Sequence, residues 1–161
     1  MGIRYYAYPV RASDIEFARA NPRDFLAADP LADAWGPAEL KPRMLYLDKC
    51  WGQLQELLGP RPDRPERVAY QLVEGQVTHT SEGWIPFTRV LDPAQVQEIA
   101  DELSQIGEAD VLAARVRTFR RDGLVNDDPD ELRYVMQYLN DAKSFVDALA
   151  KDNLGLIYMI G

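Results

Sequence analysis

Cys50 and His79 are the only cysteine and the only histidine of the chain, and they are the residue types of a thiol nucleophile and its base. Near the start of a helix, the helix dipole favours the thiolate form of a cysteine. Cys50, however, shares an apolar helical stripe with Trp51 and Leu54, and this spacing predicts a buried, unreactive thiol. Because no pattern brings His79 to Cys50, we expect a structural cysteine here.

Asp48, Lys49 and Trp51 place a carboxylate, an ammonium group and an indole close together in the chain. If they faced a cleft, they would bind a ligand through charge and stacking. The structural alternative is that Asp48 caps a helix, Lys49 is solvated and Trp51 fills the core. We favour the structural alternative, although it gives no reason for a lysine at position 49.

Trp35 and Trp84 stand beside glycines in loop-like sequence, at Trp35-Gly36-Pro37 and Gly83-Trp84. An exposed tryptophan at such a position would anchor a partner or stack on a ligand. The commoner use is to cover the edge of a small core, and we prefer that interpretation.

Two charged segments in the second half of the chain also admit a ligand-binding interpretation. The first contains Arg115, Arg117, Arg120 and Arg121, whose guanidinium groups can bind phosphate or carboxylate groups with two hydrogen bonds. The second contains Asp127, Asp128, Asp130 and Glu131, without the spaced oxygen ligands and the glycine of a calcium loop. We expect a salt-bridged face in the first and acids at a helix start in the second, with no metal site and no cofactor.

The helices that would position these residues carry recognisable start and stop signals. Asp48 is predicted to cap a short helix that ends at Gly59-Pro60, with Gly59 able to adopt the left-handed conformation. A capping box at Ser13 and Glu16 predicts a helix that ends near Pro22. Two further helices are predicted from Asp92-Pro93 to Gly107 and from Asp128-Pro129 to about Asn153. Between them, residues 108–121 carry a weaker helical pattern. The prolines of residues 22–43 allow only brief helical turns.

Strands are predicted at both ends and in the middle of the chain. Gly2 to Val10 and the closing LGLIYMI are rich in tyrosine and branched apolar residues, and alternation predicts β structure within residues 68–91. Blocks of helix between strands, without regular βαβ alternation, indicate an α+β fold. We therefore expect a single domain over residues 1–161, with a small mixed or antiparallel sheet packed against amphipathic helices.

Composition limits the functions that this chain can have. Its 161 residues are 47% apolar, without a membrane-length apolar run, and a single cysteine suits a reducing, cytoplasmic location. The net charge is −8, and residues 92–161 hold 14 acids against 7 bases. Such an acidic half disfavours nucleic acid and suits either solubility or a basic protein partner.

Four segments resemble the YfbM-like family of small bacterial proteins of unknown function: MGIRYYAYPV, LDKCWGQLQELLG, RVLDPAQVQEIADEL and YLNDAKSFVDALAKDNLGLIYMIG. The resemblance covers the whole chain and implies one domain. Family members often carry histidines directly after the tryptophan and three residues later, where this chain has Gly52 and Gln55. Any metal or proton-transfer role of such a pair is therefore absent here.

The absence of a phosphate loop, a nucleophile elbow and metal-ligand spacing favours a non-enzymatic binding or protein-interaction module, with an antidote to a basic toxin as one form. The alternative is an enzyme or small-molecule-binding protein with its site near Asp48, Lys49 and Trp51. A homo-oligomer formed through the long C-terminal helix is a third possibility.

Overall fold

A four-stranded antiparallel sheet organises the structure, a computed structural model that describes residues 2–114 and 129–161. The strands in chain order are β1 (Tyr5–Val10), β2 (Leu45–Asp48), β3 (Thr78–Thr80), β4 (Gly83–Ile85), β5 (Phe87–Leu91) and β6 (Gly155–Ile160). The sheet has the order β2-β1-β6-β5, while β3 and β4 form a separate hairpin. The predicted terminal strands β1 and β6 are thus the two central strands and pair with each other.

Helices cover both faces of the sheet. In chain order they are α1 (Ile15–Ala20), α2 (Pro30–Trp35), α3 (Trp51–Leu58), α4 (Pro93–Leu103), a helical segment α5 at residues 108–114, and α6 (Pro129–Lys151). One face, with Tyr6 and Tyr8, packs against α1 and the segment that contains α2. The other face, with Tyr5 and Tyr158, packs against α3, α4 and α6. The alternation of Tyr5 and Tyr6 between two cores follows from the two-residue repeat of a strand. The α+β prediction is confirmed.

The start of α4 agrees with its sequence signals, whereas the start of α1 does not. The Asp92 carboxylate accepts from the Gln95 amide at 2.8 Å, and the Gln95 side chain accepts from the Asp92 amide at 2.9 Å. The predicted capping box at Ser13 and Glu16 is wrong, because a 3-10 turn over Ala12–Asp14 precedes α1 and no side chain caps it.

Residues 68–72 form a 3-10 helix, which corrects the prediction of a strand there. Two buried tyrosines of the sheet account for the difference. The Tyr5 hydroxyl donates to the Leu72 carbonyl at 2.8 Å, and the Tyr158 hydroxyl donates to the carbonyls of Gln71 and Glu74. A strand would use those carbonyls in a ladder, whereas the turn leaves them for the hydroxyls.

Two of the predicted helix ends, at Asn153 and at Gly59, behave differently. Asn153 has a φ of 52° just after α6, so it adopts the predicted left-handed conformation. Gly59 after α3 is extended, with a φ of −73°, so its predicted left-handed conformation is wrong. Three predicted features lie outside the described residues: the arginine cluster at 115–121, the rest of the weak helix predicted over 108–121, and the pair Asp127 and Asp128.

Candidate functional site

Asp48 ends β2 and does not cap α3, which corrects the sequence prediction. Its φ of 48° turns the chain between strand and helix, and the helix starts at Trp51 without a side-chain cap. The Asp48 carboxylate instead accepts three hydrogen bonds, from Arg4 Nε at 3.0 Å, the Tyr46 hydroxyl at 3.0 Å and the Tyr134 hydroxyl at 3.2 Å. It therefore joins β1, β2 and α6 at the outer edge of the sheet.

Aromatic rings surround this carboxylate. Tyr134 and Tyr138 lie one helical turn apart on α6 with ring centroids 5.0 Å apart, and Tyr138 meets Tyr46 edge-on at 6.4 Å. From α2, the Trp35 ring lies with its centroid 5.5 Å from Arg4 Cζ, a cation–π contact. We call Arg4, Trp35, Tyr46, Asp48, Tyr134 and Tyr138 the edge cluster.

Two hydroxyl groups of the edge cluster, those of Tyr46 and Tyr134, donate hydrogen bonds to Asp48. Burial, and then the hydrogen bond to Asp48, raise the pKa of Tyr46 to about 12. Burial and the charge of Asp48 also raise the pKa of Tyr134. Both tyrosines are therefore protonated at neutral pH and can donate to the Asp48 carboxylate.

Lys49 and Cys50 have opposite environments although they are neighbours. Lys49 is exposed, and its side chain lies over Gly2, where an added Cβ would be 2.6 Å from Lys49 Cε. Cys50 is fully buried, as predicted, and burial followed by the charge of Asp48 raises its pKa to about 12. His79 is exposed on the β3–β4 hairpin. A thiolate nucleophile at Cys50 is therefore disfavoured.

Trp51 is half-buried and borders an open depression along the solvent side of α3. Its indole N–H donates to the Ile3 carbonyl at 3.2 Å. The depression has a volume of about 640 Å³, and its lining residues are Trp51, Gly52, Gln53, Gln55, Glu56, Gly59, Pro60, Gln76 and Glu131. Lys49 is not among them, so the structure separates it from the wall that Trp51 forms. We call this hollow the Trp51 depression.

The five residues singled out in the sequence thus fall in different places. Trp35 and Asp48 come together through Arg4, Trp51 borders the depression, and Trp84 lies on the hairpin with 41% of its surface exposed. Trp35 is 64% exposed, so the interpretation of Trp35 and Trp84 as residues that cover the edge of the core is wrong.

Sequence reasoning missed Arg4, Tyr46, Tyr134 and Tyr138. Two local signals were available: the four-residue spacing of Tyr134 and Tyr138 on a helix, and the two-residue spacing of Tyr46 and Asp48 on a strand.

Within residues 2–114 and 129–161, no three or more histidine, cysteine or acidic side chains are grouped as metal ligands would be. Over the same residues, every helix is too short or too polar to cross a bilayer.

Comparisons with known proteins identify a family without an assigned function. A family model described as a domain of unknown function (DUF1877) matches residues 1–159. Among solved structures, the protein of unknown function YfbM from Escherichia coli is similar, with a TM-score of 0.57 and 14% sequence identity over 99% of this chain and 100% of that chain. This likeness shows a shared fold. No curated protein matches the chain.

Proposed function

This chain belongs to the YfbM-like family of domains of unknown function, DUF1877, and on that premise we propose that it is a non-enzymatic binding domain for a basic protein segment. The edge cluster is the proposed contact surface. An antidote that covers a basic toxin is one form that such a domain takes. The proposal is supported by the accessibility of one indole, by its rigid support and by the charges around it.

The observation that carries the proposal is the exposed indole of Trp35 stacked on the fixed guanidinium of Arg4. Asp48 holds the Arg4 side chain at 3.0 Å, and the Arg4 backbone exchanges hydrogen bonds of 3.0 and 2.9 Å with Gly161. An exposed tryptophan on such a support loses little conformational entropy when a partner binds, which is typical of a binding hot spot.

Carboxylates on α2 favour a cationic partner. Asp29 caps the helix by accepting from the Ala32 amide at 3.1 Å, and Asp33 accepts from the Tyr8 hydroxyl at 3.0 Å. Both acids are therefore fixed close to Trp35 along the chain. A lysine or arginine of the partner would stack on the exposed indole, and further basic residues of the segment would pair with these carboxylates. The net charge of −8 would also speed the approach of a basic segment.

The protonated state of the potential nucleophiles supports binding rather than catalysis. Burial raises the pKa of Cys50 to about 12, and Tyr46 has a pKa of about 12 from burial and its bond to Asp48. At neutral pH both groups keep their protons, and the Tyr46 hydroxyl donates to Asp48, so neither is an activated nucleophile.

The proposal is tested with two synthetic peptides of equal length, one rich in arginine and one rich in glutamate, by isothermal titration calorimetry at low salt. We expect the arginine peptide to bind and the glutamate peptide not to bind. Trp35→Ala should weaken binding by about tenfold or more, as removal of a hot-spot aromatic does. Trp84→Ala is the matched control, because Trp84 is a second exposed tryptophan outside the edge cluster. Equal binding of the two peptides, or equal effects of the two variants, would contradict the proposal.

A further inference from the structure

The Trp51 depression is distinct from the edge cluster, and its size suits a small molecule. Its volume of about 640 Å³ lies within the range of ligand sites, about 300–1,000 Å³. Because the Trp51 indole N–H is bound to the Ile3 carbonyl, the ring is held in one orientation. It presents an apolar aromatic surface to the hollow, since its polar atom is already satisfied.

Glutamine amides provide the polar part of the depression. The Gln55 amide group donates to the carbonyls of Val73 at 2.6 Å and Gly75 at 2.8 Å, and its oxygen accepts from Gln76 Nε2 at 3.1 Å. This chain of bonds orients the Gln76 amide and leaves its oxygen and one N–H available. Gln53 makes no side-chain hydrogen bond to the described part of the chain. The depression therefore offers donors and acceptors together.

The lining also indicates which ligand class the depression accepts. Among the described residues that line it there is no lysine, arginine or histidine, so that part of the lining offers no cationic partner to a phosphate or carboxylate. A cation would use only the acceptors, so the amide N–H groups would contribute nothing to its binding. A hydroxyl group both donates and accepts, so it suits Gln53 and Gln76 together.

We propose that the Trp51 depression binds a neutral polyhydroxylated ligand of monosaccharide size. The apolar face of the sugar ring would lie on Trp51, and its hydroxyl groups would bond to Gln53 and Gln76. This site is independent of the surface proposed for a basic partner, since the edge cluster and the depression share no residue.

Gly52 allows the depression to be filled without disturbing the protein. A Cβ added at Gly52 has no neighbouring atom within 4 Å, and Gly52 lies in the first turn of α3 with the depression beside it. Gly52→Phe therefore places a ring into the hollow, whereas Gly52→Ala adds one methyl group. Trp51→Ala is a poorer test, because Trp51 also packs against the core and bonds to Ile3.

The experiment is a titration of the ¹⁵N-labelled protein with glucose, mannose and N-acetylglucosamine, followed by two-dimensional NMR, with glucose 6-phosphate as the charged comparison. We expect at least one neutral sugar to shift the side-chain amide signals of Gln53 and Gln76 and the indole signal of Trp51. Its Kd should rise about tenfold or more in Gly52→Phe, remain close to wild type in Gly52→Ala, and be unchanged in Trp35→Ala.

The outcomes separate this inference from the proposed function. If no neutral sugar shifts these signals, if the shifts lie elsewhere, or if glucose 6-phosphate binds more tightly, the inference is wrong. Unchanged affinity in Gly52→Phe would also overturn it. None of these results bears on the peptide titration, which depends on Trp35.

Discussion

Replacement of Asp48 tests whether this carboxylate organises the edge cluster. Asp48→Asn keeps the side-chain size and tolerates the φ of 48°, but removes the charge that faces Arg4. The Arg4 and Asp48 side chains are 15% and 26% exposed, so water replaces part of the lost interaction. We therefore take the low end of the usual range and expect a loss of about 1–2 kcal/mol in the free energy of unfolding.

Asp48→Ala should cost more for two reasons. It removes the acceptor for all three donors, including the hydroxyls of Tyr46 and Tyr134, and it places alanine in the left-handed region. The strain adds about 1–2 kcal/mol to the loss of about 1–2 kcal/mol expected for Asp48→Asn, so we expect a total loss of at least about 2–4 kcal/mol.

Urea denaturation measures these free energies, and thermal unfolding gives an independent check at about 2–4 °C per kcal/mol for a chain of this size. Lys49→Ala is the matched control, because Lys49 is the exposed neighbour of Asp48 and should change stability by no more than about 0.5 kcal/mol. A double-mutant cycle of Asp48→Asn with Tyr134→Phe should show a coupling energy of about 0.5 kcal/mol or more. The reasoning is refuted if Asp48→Ala resembles Lys49→Ala, or if the cycle shows no coupling.

Two further predictions concern the core and the glycines. The Cys50 thiol is 0% exposed, so at about pH 8 it should react with a thiol reagent only as fast as the protein opens, and its pKa of about 12 slows the reaction further. Urea should make the thiol react at once. Rapid reaction in native buffer would contradict this prediction. Gly52→Ala should raise the free energy of unfolding by about 0.5–1 kcal/mol, since alanine suits a helix better and meets no atom within 4 Å. Gly155→Ala should instead destabilise the protein, because its Cβ would lie 2.4 Å from the Leu91 carbonyl oxygen and 2.5 Å from Ile15 Cδ1. Similar melting temperatures for Gly52→Ala and Gly155→Ala would refute this contrast.

Elements with strong local signals were predictable from the sequence. The start of α4 depends on Asp92, Pro93 and Gln95, which are neighbours in the chain, and the turn after α6 depends on Asn153 alone. The apolar runs of β1 and β6 likewise indicate buried strands without knowledge of the fold.

Elements decided by distant contacts were not predictable in this way. The alternation of Val68, Tyr70 and Leu72 suits a strand, yet the hydroxyls of Tyr5 and Tyr158 determine how the carbonyls of that segment are used. Local pattern contains no information about partners so far away, so tertiary structure overrides it.

The candidate site was likewise not predictable from local sequence, because its contacts join distant parts of the chain. Asp48 precedes a helix and therefore resembles a cap, but the donors that occupy its carboxylate include Tyr134, which is 86 positions away in the chain. The exposure of Trp35 is equally non-local, because it depends on how α2 lies over the first strand. The depression beside Trp51 depends on Gln76 and Glu131, which come from other parts of the chain.

The central position of β6 has a consequence for biosynthesis. Translation proceeds from the amino terminus, so a nascent chain possesses β1 and β5 before it possesses the strand that joins them. Until Gly155–Ile160 emerge, the backbone edges of those strands remain open and their tyrosines and branched side chains meet water. A ribosome that stalls shortly before these codons would therefore hold an aggregation-prone chain, and a chaperone that shields strand edges would matter most at that moment.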